Sequence, residues 1–231
     1  MGKNLKQQRR GKGSPRYQRP SHNFIGAVKY GIKDNAEGIV TDIVHDAARY
    51  CPVAVVEIEG RKELLIAPSG IKVGDKVAYG GPASAGNVSY LKDVPEGTQI
   101  CNIEMNPLDG GRMCRAPGSF ATVIGHENGK CIISLPSKTM KKISDGCRAT
   151  IGVVAGSGFG AKPLLKAGNM FHLAHAKGKY WPCVSGVSMN PGQHPFGGKT
   201  KPGIPKTISR HAPPGAKVGS ISARRTGKRK A

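Results

Sequence analysis

Residues 120–135 read Phe120-Ala121-Thr122-Val123-Ile124-Gly125-His126-Glu127-Asn128-Gly129-Lys130-Cys131-Ile132-Ile133-Ser134-Leu135. Two apolar, β-branched runs flank an Asn-Gly dipeptide. A two-residue type I′ turn needs positive φ at both central positions, and Asn-Gly supplies it at the least steric cost. The stretch is therefore predicted as a β-hairpin, and its neighbours repeat the texture. Ile100 and Ile103 precede it, while Thr139 to Ile143 and Cys147 to Ala155 follow, which makes five strands from about Thr98 onward.

Further upstream, Ile39, Val40, Ile43 and Val44 begin another β-rich run, continued by Val53 to Ile58, Glu63 to Ala67 and Lys72 to Tyr79. Gly60-Arg61 marks a hairpin between the second and third of these, and Gly80-Gly81-Pro82 breaks the chain. Pro52 stands at a strand start, where its missing N–H costs no ladder bond. The fold class read from this pattern is mainly β, with two small β-barrels in succession. Each module is about 60 residues, a size at which a lone core is marginal. The two are expected to pack together or to be steadied by a partner.

Charge divides the chain differently. The 231 residues carry 36 Lys or Arg against 14 Asp or Glu, a net charge of +22. All 14 acids lie between Asp34 and Asp145, a segment with 12 bases and a net charge of −2. Residues 1–33 hold 9 bases and residues 146–231 hold 15, with no acid in either flank. Flanks of one sign repel themselves, so they are expected to gain order only on a polyanionic partner. Residues 1–23 and 200–231 are expected to be mobile in the free protein.

The six cysteines, Cys51, Cys101, Cys114, Cys131, Cys147 and Cys183, include no C-x2-C pair. That spacing argues against a zinc ribbon, and the apolar neighbours of Cys101, Cys131 and Cys147 mark reduced core thiols of a cytosolic chain. No apolar run approaches the length of a membrane span.

The N-terminal arm, with Gln8-Arg9-Arg10-Gly11-Lys12-Gly13-Ser14-Pro15-Arg16-Tyr17, lacks periodicity. It reads as an arm that orders on RNA, its glycines admitting phosphates and Tyr17 available for stacking. Its competing reading is a solvated tail. Gly156, Gly158 and Gly160 lie between a strand and a helix predicted from Leu164 to Lys177. Their spacing is not that of a dinucleotide-binding loop, and no acid follows residue 145 to hold a ribose or a divalent metal. His172 and His175 share a helix face without third or fourth ligands, and read as groups facing RNA or solvent. Lys177, Lys179, Tyr180 and Trp181 mix cations with aromatics as stacking on RNA requires. Packing against the second barrel accounts for Trp181 equally well.

The segment Met189-Asn190-Pro191-Gly192-Gln193-His194-Pro195-Phe196-Gly197-Gly198-Lys199 is too rich in Pro and Gly for regular structure. No nearby carboxylate orients His194 as a general base needs. It reads as a hydrogen-bonding or stacking contact to RNA, with phosphate surroundings expected to favour the cationic imidazole.

These segments together resemble the universal large-subunit ribosomal protein two family, of the archaeal and eukaryotic type, over essentially the whole chain. The most specific motifs are Gln8 to Pro15, Lys162-Pro163-Leu164-Leu165-Lys166-Ala167-Gly168, and Gly186-Val187-Ser188-Met189-Asn190-Pro191. To these are added His194-Pro195-Phe196-Gly197-Gly198, Ala212-Pro213-Pro214-Gly215 and Lys217-Val218-Gly219-Ser220-Ile221. The resemblance implies an OB-like barrel followed by an SH3-like barrel, with basic extensions buried in large-subunit rRNA. It also implies a place near the peptidyl transferase centre and the subunit interface, with roles in assembly, subunit association, tRNA binding and peptide-bond formation. His194 matches a family histidine once proposed to act in peptide-bond formation. The residue before it, usually Asp in the family, is Gln193 here, which favours a structural role, and Lys199 replaces a glycine of many members.

The expected division is a basic arm over residues 1–33, barrels over 34–82 and 83–160, and a short helix with a basic tail over 161–231. RNA contacts are expected from Arg9, Arg10, Lys12, Arg16, Tyr17 and Arg19 in the arm. Further contacts are expected from Lys177, Lys179, Trp181, Asn190, His194, Lys199 and Lys201, and from Arg210, Lys217, Arg224 and Arg225 in the tail. No catalytic residue, cofactor, metal, membrane or small-molecule substrate is expected. The partners are large-subunit rRNA, neighbouring large-subunit proteins and the small subunit at the interface, in a cytoplasmic ribosome. An RNA-modifying enzyme and a free-standing RNA chaperone are the competing classes.

Overall fold

The Asn-Gly hairpin forms as predicted. Strands β7 (Ala121–Glu127) and β8 (Lys130–Ser134) pair with Glu127 opposite Lys130, and Asn128 and Gly129 take φ of 50° and 70°. The protein is described by a computed structural model covering residues 3–18, 21–31, 35–198 and 206–223. These fall into two compact units, one comprising residues 20–170 and the other residues 1–19 with 171–231.

The larger unit is one ten-stranded sheet in the order β3-β2-β1-β4-β5-β10-β6-β7-β8-β9. Its first half uses β1 (Ala36–Val44), β2 (Val53–Ile58), β3 (Arg61–Ile66) and β4 (Lys76–Tyr79). Alternation in β1 sends Ala36, Gly38 and Val40 inward and Glu37 and Ile39 outward. The turn between β2 and β3 is Glu59-Gly60, one residue earlier than expected, so Arg61 already pairs with Ile58. The strand expected from Lys72 starts only at Lys76. The Asp75 carboxylate accepts the Lys72 N–H at 2.8 Å and closes a turn there instead.

The second half uses β5 (Val88–Tyr90), β6 (Gln99–Cys101), β7, β8, β9 (Met140–Ser144) and β10 (Arg148–Ile151). β10 ends just before Gly152, whose φ of 115° leaves the strand region. β5 escaped the sequence reading because three residues carry too little alternation to be noticed. It nonetheless unites the sheet, pairing with β10 on one side and with β4 on the other through a single pair, Tyr79 with Val88.

Each half wraps its own apolar cluster. Val40, Ala54, Val56, Leu65, Val77 and Tyr79 centre the first, and Leu91, Ile100, Ile103, Val123, Ile133 and Cys147 the second. Val28, Cys51, Val53, Ile66, Cys101 and Val154 form a third. The cysteine expectation holds for Cys51, Cys101, Cys131 and Cys147, which are buried; Cys183 is exposed. Burial pushes the Cys101 thiol up to about 12 and those of Cys131 and Cys147 to about 11.

One ion pair is sealed inside. Arg148 Nη2 donates to Glu104 Oε1 at 3.1 Å, with side-chain exposures of 1% and 0%. The remaining lone pairs are used: Glu104 accepts the backbone N–H of Gly110 (3.0 Å) and Arg148 (2.9 Å), while Arg148 Nη1 donates to Gly31 O (2.9 Å). The Arg148 guanidinium also lies 5.5 Å from the Tyr30 ring centre. Burial of two charges is tolerated only where hydrogen bonds of this kind complete the pair.

Candidate nucleic-acid interface

The smaller unit holds no Asp or Glu in either of its segments. Even so, its arm and tail come together, contrary to the expectation that like-charged flanks stay apart until a partner arrives. The physical reason is visible in what is buried. Leu5, Ala174 and Val218 are 8%, 3% and 4% exposed, and the Lys3 N–H donates to Gly192 O at 3.2 Å. The arm, read as irregular, contains helix α1 (Lys6–Gly11), started where the Gln8 side chain accepts the Leu5 N–H at 2.7 Å. Strands β11 (Thr207–Ile208) and β12 (Ser220–Ile221) pair in parallel within the tail.

Aromatic rings and cations converge on Tyr180. Tyr17 stacks on it with centroids 5.5 Å apart, and Arg16 Cζ and Lys6 Nζ lie 4.7 and 5.4 Å from its ring centre. Cation–π attraction offsets part of the repulsion among these bases. Lys6 Nζ also donates to Cys183 Sγ at 2.6 Å. Two cavities share the tyrosine pair as a wall. The larger, of about 390 Å³, is also lined by Lys3, Lys6, Gln193 and His194, and the smaller, of about 270 Å³, by Lys12, Ser14 and Arg16; Asn4 and Arg9 line both.

His194 sits in a chain of turns. The N–H groups of Gln193 and His194 donate to Asn190 O (2.9 and 3.3 Å), and that of Gly197 donates to His194 O (2.8 Å). The Phe196 N–H donates to His194 Nδ1 at 3.0 Å. A nitrogen that accepts carries no proton, so this bond places the ring N–H on Nε2. A proton gained among phosphates would turn Nδ1 into a donor and release the Phe196 N–H. Gly186 makes room for the ring: a Cβ there would lie 2.4 Å from His194 Nδ1.

Of the other expected contacts, Arg9, Arg10, Lys12 and Arg16 are exposed, as are Lys179, Asn190 and Arg210. Lys217 and Trp181 are half-buried. Lys177, directly after helix α2 (Ala167–Ala176), is 5% exposed, so its side chain would have to move to reach RNA. Arg19, Lys199, Lys201, Arg224 and Arg225 lie outside the described residues. Lys3, Lys6 and Cys183 join the site without any sequence signal that distinguishes them. Helix α2 starts three residues later than predicted. His172 and His175 both pack against Phe171, at 5.4 and 6.2 Å between ring centres. Among the described residues no three His, Cys, Asp or Glu side chains converge as metal ligands would. No described helix is long and apolar enough to cross a membrane.

A cation-rich, acid-free unit with stacked rings defines an RNA-binding protein class. Comparison with known proteins then gives the particular family. Residues 6–79 match the family described as Ribosomal Proteins L2, RNA binding N-terminal domain, and residues 84–218 match Ribosomal Proteins L2, C-terminal domain. The large ribosomal subunit protein uL2 of Methanocella arvoryzae is 48% identical over 235 residues, covering 98% of this chain and 99% of that protein. Those of Methanothermobacter thermautotrophicus and Methanosphaera stadtmanae are 48% and 49% identical over 241 residues, with both chains covered completely. The chain belongs to the ribosomal protein L2 family.

Proposed function

We propose that this chain is a structural constituent of the large ribosomal subunit that binds large-subunit rRNA near the peptidyl transferase centre. In this reading it supports subunit assembly, subunit association, tRNA binding and peptide-bond formation without catalysing the reaction itself. The observation that carries the proposal is the acid-free unit, in which Lys3, Lys6, Arg9, Lys12 and Arg16 surround the Tyr17–Tyr180 stack. Cations neutralise phosphate and rings receive bases, and no carboxylate is present in that unit to repel either. His194 takes part as a positioned Nε2–H donor, because its other nitrogen is occupied by its own loop.

The division into a basic arm (1–33), OB-like and SH3-like barrels (34–82 and 83–160) and a helix with a basic tail (161–231) belongs to this proposal. Its partners are large-subunit rRNA, neighbouring large-subunit proteins and the small subunit.

A salt titration tests rRNA binding. Affinity of the full-length protein for large-subunit rRNA should fall with salt, log affinity against log salt losing about 0.7 to 0.9 in slope per phosphate contacted. A flat line defeats the reading. Nucleotide-resolution footprinting of assembled subunits tests the location. Substituting His194→Ala should alter protection at nucleotides of the peptidyl transferase centre, and changes confined to distant rRNA would refute that placement.

A further inference from the structure

The larger cavity of the acid-free unit has a lining that RNA binding in general does not require. Lysines and arginines on an open surface suffice to hold a phosphate backbone. Here, a concave space of about 390 Å³ brings together an aromatic pair, cations and several neutral hydrogen-bonding groups. Its volume falls in the range of small-ligand pockets, about 300 to 1,000 Å³. Tyr17 and Tyr180 form one wall, Lys6 and Arg9 supply charge, and Gln193 and His194 offer polar edges. The His194 contribution has a fixed sense, because the Phe196 N–H holds Nδ1 as an acceptor and leaves Nε2 to donate.

We propose that this cavity seats one unstacked nucleotide of an RNA strand, with its base against the Tyr17–Tyr180 wall and its flanking phosphate in the smaller cavity that shares that wall. The smaller cavity suits a phosphate: Arg9, Lys12 and Arg16 line it together with the Ser14 hydroxyl. A base can enter such a space only when splayed out of its helix, which is how single-stranded RNA is read and paired RNA is not. An acidic peptide would satisfy the cations but supplies no planar base to lie against the stacked rings.

The inference rests on the rRNA-binding reading above, and the test separates the two. Full-length protein is bound to large-subunit rRNA as wild type, Tyr180→Ala, Tyr180→Phe and Lys12→Ala, and photo-cross-linked in the assembled subunit. Tyr180→Ala should weaken binding about 5- to 160-fold, the effect of losing one base–ring stack. The salt slope should not change, because stacking releases no counterions. Tyr180→Phe should keep the wild-type affinity, and Lys12→Ala should lower the slope by about 1. Adducts on Tyr17 or Tyr180 should map to a single nucleotide. Wild-type affinity for Tyr180→Ala, equal losses for the Ala and Phe variants, or adducts spread over successive nucleotides would each overturn the cavity assignment while rRNA binding stands. Failure of the wild-type protein to bind rRNA sinks both.

Discussion

His194 shows how one side chain acquires a role from its immediate backbone. A histidine beside Gln193 looked unoriented in the sequence, since no carboxylate was near. Its orienting group is the N–H two residues onward, which no residue-type pattern records. The fit depends on Gly186, so Gly186→Ala should displace the imidazole by crowding Nδ1 and Cε1. Nitrogen-15 NMR should show an unprotonated, hydrogen-bonded Nδ1 in the wild type, and loss of that signature in the variant. An unchanged spectrum would contradict the packing. Arg148 is the second case at this scale. Arg148→Met leaves Glu104 buried without its partner and should cost about 3 to 5 kcal/mol. The double variant with Glu104→Leu should recover only part of that loss in a denaturant titration, because the Gly110 and Arg148 N–H groups then lack their acceptor.

Among the elements, legibility followed length and repetition. β2 was placed to the residue, and β7 and β8 within one residue at each end except for the extension of β7 to Glu127, because β-branched alternation and a turn dipeptide agree there. β5 was lost for want of length. Helix α1 was missed because Lys6–Gly11 has no apolar stripe and owes its place to the single buried Leu5 beside it. The β7–β8 turn offers a clean measurement. A Cβ on Gly129 would meet nothing within 4 Å, so only its φ of 70° penalises a substitution. Gly129→Ala should therefore destabilise by about 1 kcal/mol. A thermal melt with an unchanged midpoint would show that the turn had relaxed to another type.

For the molecule as a whole, composition separates a nearly neutral middle segment from cationic flanks but does not tell that the flanks meet. Tyr17 and Tyr180 are neighbours in space and far apart in sequence, and no local pattern encodes such a pairing. The hub carries its own pH response. Cys101, Cys131 and Cys147 are held above the ordinary thiol value of 9.0 by burial. Their folded values exceed the unfolded ones, so their contribution to stability is complete below about pH 9 and is lost as pH rises through 11 to 12. The urea midpoint should hold steady below that window and fall within it, and Cys101→Val should blunt the fall. A profile level to pH 12 would remove the thiols from the account.

The lone Tyr79–Val88 rung carries a further consequence for how the protein is made. As the chain leaves its own synthesising ribosome in order, β1 to β4 can assemble before the strands beyond Val88 have emerged. The later strands then attach to a sheet edge already in place, and the apolar cluster that joins Val53 and Ile66 to Cys101 and Val154 closes only when they arrive.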